Sequence, residues 1–132
     1  MAFVQWRMDA NTVYQAHNHP NYNGMTLGLS GDCRMRNFDF VGRPPEYSSK
    51  AVFRIRETQD TVLRPGRVTS MMTRTRDNIH ELHAGVDGVT GLDIFTRMGP
   101  AEGFALLSVG SKPQDSVKRI YEASWEEHIK EG

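Results

Sequence analysis

The run His17-Asn18-His19-Pro20-Asn21-Tyr22-Asn23-Gly24 decides how this chain is read. Successive side chains of a strand point to opposite faces, so Val13, Gln15, His17 and His19 share one face if the run is extended. Two imidazoles at i and i+2 then stand close enough to share one ion. Neutral imidazole nitrogen is the commonest protein ligand for a catalytic divalent metal. The same pair on a solvent-facing strand is only a pH-sensitive surface feature. A third histidine separates the two readings, and His80 is available from a later strand. Three such ligands cap one side of an ion and leave the other side open to substrate and to oxygen or water.

The length of 132 residues gives one domain with a real core and is too short for two. Twelve glycines and six prolines among 24% charged and 38% hydrophobic residues make a soluble, turn-rich composition. Lys plus Arg and Asp plus Glu balance at sixteen each, so neither a nucleic acid nor a membrane partner is expected from charge. Cys33 is the one cysteine, which rules out an intrachain disulfide and a cysteine-based structural zinc site. Met1 to Arg7 lacks a basic region followed by an apolar run, and no apolar stretch approaches the roughly 20 residues of a membrane helix. A cytoplasmic location is the expectation.

Outward from the histidine pair, alternation and turn residues predict short strands over 3–8, 12–19, 25–30, 33–41, 50–57, 61–63, 68–72, 78–84, 92–97 and 104–109. Gly31-Asp32 reads as a tight turn, Pro65-Gly66 as another, and Gly85, Gly88 and Gly91 as a glycine-rich hairpin. The tail differs in kind. Residues 114–130 hold no Gly or Pro, and Val117, Ile120, Tyr121, Ser124, Trp125, His128 and Ile129 recur at helical spacing, with Asp115 placed to cap. The expectation is a single all-β domain over 1–132, a barrel over 3–110 with a C-terminal α-helix over 114–130 packed on it.

His-x-His on one strand, a glycine turn after the next, and a later single histidine together resemble the cupins. That resemblance implies a double-stranded β-helix, the jelly-roll barrel, with three histidines converging in its mouth. Many cupins add a carboxylate about five residues after the second histidine, where this chain has Asn23 and Gly24. Thr75-Arg76-Asp77-Asn78-Ile79-His80-Glu81-Leu82, then Gly91-Leu92-Asp93-Ile94-Phe95, is similar to the cysteamine dioxygenase and plant cysteine oxidase branch of the thiol dioxygenases. His17-Asn18-His19-Pro20 followed by Gly24-Met25-Thr26 matches the same branch. The likeness spans residues 3–100. It implies a mononuclear non-haem iron(II) on His17, His19 and His80, with zinc, nickel or manganese as other divalent occupants. A small thiol and dioxygen would be the substrates and a sulfinate the product. Asp93 would orient an imidazole N–H or handle a proton. Two departures stand out: the family's N-terminal region has no counterpart in these 132 residues, and Thr96-Arg97-Met98-Gly99-Pro100 replaces its Pro-Pro-Tyr ending.

The remaining candidates follow from residue chemistry. Arg7 has the guanidinium fork that fixes a substrate carboxylate, although an edge-strand arginine is usually solvated. Tyr22, beside the metal loop, is a pocket wall or a loop residue. Asp93 between Leu92 and Ile94 is a costly carboxylate unless paired. Met71 and Met72 read as core, Cys33 as a small buried apolar residue, His83 as a surface residue opposite His80, and His128 as a helix residue. Two other classes compete with the thiol dioxygenase: another metal-dependent cupin enzyme, an isomerase or carbon–carbon-cleaving dioxygenase, and a non-catalytic ligand-binding barrel. Exposed strand edges and the terminal helix make a homodimer an expectation by analogy.

Overall fold

The structure, a computed structural model, describes residues 1–73, 75–100 and 102–130, without the side chains of 69–71. Eight strands follow in order: β1 (Ala2–Met8), β2 (Val13–His17), β3 (Tyr22–Phe40), β4 (Phe53–Leu63), β5 (Val68–Met72), β6 (Ile79–Arg97), β7 (Phe104–Val109) and β8 (Ile120–Ile129). The order across the sheet is β1-β6-β2-β7-β8-β4-β3-β5, and a further β6–β3 pairing closes the six strands β6, β2, β7, β8, β4 and β3 into an antiparallel barrel. Closure gives each of the six ring strands a partner on both sides. β1 and β5 lie outside the ring, on β6 and β3 respectively.

Three pairs of predicted strands are single long ones: 50–57 and 61–63 join in β4, 25–30 and 33–41 in β3, and 78–84 and 92–97 in β6. The predicted turn at Gly31-Asp32 and the predicted hairpin through Gly85, Gly88 and Gly91 lie inside β3 and β6, which pair with each other from Tyr22↔Arg97 to Phe38↔Ile79. The glycines serve bulges and close approach instead of reversal. Register shifts fall at Gly28/Ser30 and Gly31/Cys33. Gly31 and Gly88 both take positive φ, and a β-carbon on Gly31 would collide with the Gly88 carbonyl. Val89, past the irregularity, packs in the same cluster as Leu82 and Ala84 before it, so the inward phase of β6 skips by one residue there.

The predicted C-terminal helix over 114–130 is instead a turn and a strand; no helix occurs among the described residues. Asp115 does cap, but only a turn: its Oδ1 accepts the N–H groups of Val117 and Lys118 at 3.0 Å. Arg119 then takes φ 58°, and Ile120 pairs back to Asp115. From there Ile120 to Ile129 enters the gap between β4 and β7. The helical spacing was produced by a bulge. Tyr121, Ala123 and Trp125 alternate inward, but Leu106 pairs with Glu127 and Leu107 with Trp125, so Glu126 is an extra residue. The phase therefore skips, and His128 joins Trp125 beside Tyr47 three residues on. His128 is thus a strand residue, its Nε2 2.7 Å from the Glu102 carbonyl.

Two apolar clusters result. All six barrel strands contribute to the first, which holds Ala16, Phe38, Ile55, Ile79, Ala105, Leu107, Ala123 and Trp125. The second joins Cys33, Met35, Leu63, Leu82, Ala84 and Val89, with Trp6 and Met8 of β1 against it. Cys33 is buried there, and burial pushes its thiol up to about 11, the inert state expected of it. Met72 is buried as expected, while the Met71 side chain lies outside the described residues.

Candidate metal centre

Residues adjacent in a strand face opposite ways, so where Ala16 and Ile79 plug the first cluster, His17 and His80 stand on the other face of the same wall. Register places them directly across from each other, His17↔His80, on β2 and β6. His19 follows just beyond β2. The three side chains each offer a ring nitrogen, all within 4.8 Å of one another, and their ring centroids lie 4.3–4.7 Å apart. His17 and His80 are both buried.

The expected face of Val13, Gln15, His17 and His19 is broken by a register shift between Tyr14 and His17. Gln15 reaches away, donating to the Leu107 carbonyl and to Glu126. Tyr14 takes its place, its ring 4.4 Å from that of His17.

The rings are oriented by backbone. His17 Nδ1 lies 2.7 Å from the Gln15 carbonyl and His19 Nδ1 2.7 Å from the Asn78 carbonyl. A carbonyl only accepts, so both Nδ1 atoms carry the proton and both Nε2 atoms present lone pairs. Asn78 also bonds the His19 main chain, accepting from its N–H and donating to its carbonyl, both at 2.8 Å. A second donation, to Thr73 at 2.9 Å, fixes the Asn78 amide in turn.

All three rings are held neutral. Burial lowers His17 to about 3, with the neighbouring His19 adding to it and the Gln15 bond opposing. Burial lowers His19 to about 4 against its bond to Asn78. His80 is lowered well below the usual range by burial, then by His19 and His17. Neutral imidazoles with anchored Nδ1–H groups are the form that ligates a metal. The His17 and His80 Nε2 atoms are 2.9 Å apart. Metal–nitrogen bonds of about 2.0–2.1 Å set neighbouring ligands roughly 3 Å apart at a right angle, so the pair fits a common ion.

The cluster opens onto a cavity of about 460 Å³ lined by Val4, Tyr14, His17, His19, Tyr22, Asp93, Phe95, Gly103, Phe104, Ile129 and Lys130. A smaller one beside it, of about 240 Å³ and bounded by β1, is lined by all three histidines together with Trp6, Arg7 and Asp93. Tyr22 and Asp93 thus stand in the same cavity as two of the histidines. Asp93 Oδ1 accepts from Trp6 Nε1 at 2.9 Å and Thr26 Oγ1 at 2.8 Å, and burial raises its pKa against those two bonds. For His17 and His19 the orienting acceptors are the two carbonyls. Arg7 is exposed at the rim and pairs with Asp9 at 3.3 Å. His83 faces the other way, toward Glu81 at 2.7 Å.

Sequence reading missed Tyr14, Phe104 and the work of Asn78. Tyr14 was hidden by the bulge, and Phe104 by its distance in sequence. The position of Asn78 two residues before His80 was visible, but not that it serves His19.

No protein-family profile matches the chain, and no curated protein matches it. Among solved structures it is similar to the crystal structure of Drosophila melanogaster CENP-C bound to CAL1, with a TM-score of 0.51 and 14% identity over 71% of this chain. The match spans 60% of that solved chain, and at this identity the likeness concerns the fold alone. The chain is a small all-β barrel, compatible with a cupin, whose three clustered histidines can hold a metal ion.

Proposed function

We propose that the protein is a metal-dependent enzyme of the cupin kind, a non-haem iron(II) dioxygenase that oxidises a thiol to a sulfinate. One observation carries the reading: neutral His17, His19 and His80, the first and last buried and His19 partly so, converge, with the Nδ1–H groups of His17 and His19 anchored, beside a cavity large enough for a substrate. Iron(II) held there would supply redox chemistry toward dioxygen, with the balance RSH + O2 → RSO2− + H+, in which both oxygen atoms end on sulfur.

The chain's own residues divide the remaining work. Three uncharged ligands leave the charge of a divalent ion uncompensated, which favours an anionic thiolate over a neutral alcohol. Tyr14 and Phe104 flank His17 at ring distances of 4.4 and 5.9 Å and give the cavity beside it an aromatic lining. Asp93 lines the cavity, held by its bonds to Trp6 and Thr26, and would take the proton released. Anaerobic iron loading, element analysis and oxygen uptake with a panel of thiols test the reading. Stoichiometric iron with thiol-dependent oxygen consumption and sulfinate is the expected result; full iron with no consumption for any thiol overturns it.

A further inference from the structure

Resting on the proposed function, the cavity itself narrows the thiol. Six of its lining side chains are apolar or aromatic: Val4, Tyr14, Tyr22, Phe95, Phe104 and Ile129. They come from β1, β2, β3, β6, β7 and β8, so six strands contribute to the apolar lining of a space that is open on one side. At about 460 Å³ it lies within the roughly 300–1,000 Å³ range of pockets that enclose a drug-sized ligand. A thiol of two or three carbons fills a small part of that volume.

The charges a small amino thiol needs are badly placed. An ammonium group wants a carboxylate, and the one among the cavity's lining residues, Asp93, has one oxygen taken by Trp6 and Thr26 and the other assigned to the released proton. A carboxylate wants a guanidinium, and Arg7 is at the exposed rim, paired with Asp9. Lys130, the other cation at the cavity, follows Ile129 at the end of β8. Burying a charged group against aromatic walls without a partner is unfavourable, whereas an aromatic ring finds faces and edges there.

We propose that the substrate is a thiol with an apolar, ring-bearing body, held between Tyr14, Phe95, Phe104 and Ile129 with its sulfur toward the three histidines. The reaction stays RSH + O2 → RSO2− + H+, with R an aryl-alkyl group.

Calorimetric titration of anaerobic iron-loaded protein and of metal-free protein with 2-phenylethanethiol and with cysteamine tests this. The phenyl compound is expected to bind the iron-loaded form at least about tenfold more tightly than cysteamine, a difference of about 1.4 kcal/mol, and to keep its advantage without metal, because the ring's apolar contacts do not depend on the ion. Cysteamine binding as tightly as the phenyl compound in both forms overturns the inference while leaving the metal reading intact. If the protein takes up no iron, the proposed function fails and the metal-free comparison still decides the cavity's preference. Ile129→Glu and Val4→Glu, both at partly exposed positions that tolerate a polar side chain, are each expected to weaken phenyl thiol binding about tenfold. Unchanged affinity in both variants places the ring elsewhere and overturns the inference.

Discussion

Asn78 grips His19 from three directions: its side chain bonds both the N–H and the carbonyl of His19, and its own carbonyl accepts from the imidazole Nδ1–H. A ligand ring is thereby tied to the strand that carries His80, two residues further on. Replacing Asn78 with Ala removes the side-chain clamp and leaves the ring's backbone acceptor. Divalent metal affinity is expected to fall about 10–100-fold, the range for residues that orient a ligand. Competition with a chromophoric chelator measures it, and the far-ultraviolet spectrum checks that the fold persists.

His19→Ala is expected to abolish stoichiometric metal loading while the domain stays folded, since His19 lies beyond the end of β2 and belongs to neither apolar cluster. Element analysis of the purified variant decides this. Full metal content would break the proposed cage.

Trp6 lies across the strand from Gly91, and its ring occupies the place a side chain there would take. Its Nε1–H reaches Asp93 at 2.9 Å. Gly91→Val is therefore expected to push the indole off, break that bond and cost about 1–3 kcal/mol. Urea denaturation reads the loss, and a red shift of tryptophan emission reports the displaced ring.

Trp125 is almost fully buried at the centre of β8, against Phe40, Tyr47 and Phe53, with its Nε1–H on the Pro45 carbonyl. Trp125→Ala is expected to destabilise by about 3–5 kcal/mol, because β8 closes the barrel and the hole cannot collapse. Equilibrium unfolding gives the value. A loss under about 1 kcal/mol would mean a surface element instead of a barrel strand.

The metal-free protein is expected to lose stability as pH falls from about 6.5 toward about 4. His17 and His19 have folded-state values of about 3 and about 4, below the unfolded value of 6.5. In that window the unfolded chain binds protons that the folded chain refuses, so acid favours unfolding, and above it the contribution is full and flat. Thermal midpoints across this range measure the effect. Bound metal is expected to raise the midpoint most at neutral pH, since protons compete for the same nitrogens.

What the sequence determined by itself was local. Alternating side chains and turn residues marked the all-β class, and His-x-His with a later His80 named the three histidines that meet and could hold a metal ion, because period-two geometry fixes which neighbours share a face. That rule held only where the strand was regular. A bulge in β2 exchanged Gln15 for Tyr14, another in β8 gave a strand the spacing of a helix, and glycines at 31 and 88 shaped a bulged ribbon where turns were expected. A bulge inserts one residue on one strand only, so its presence depends on the partner opposite and leaves no mark in the single chain. Closure of the barrel by β8, the grip of Asn78 on His19 and the apolar wall gathered from six strands all join residues far apart in sequence. Only the tertiary structure could decide them, since long-range pairing sets which groups meet and how much water is left between them.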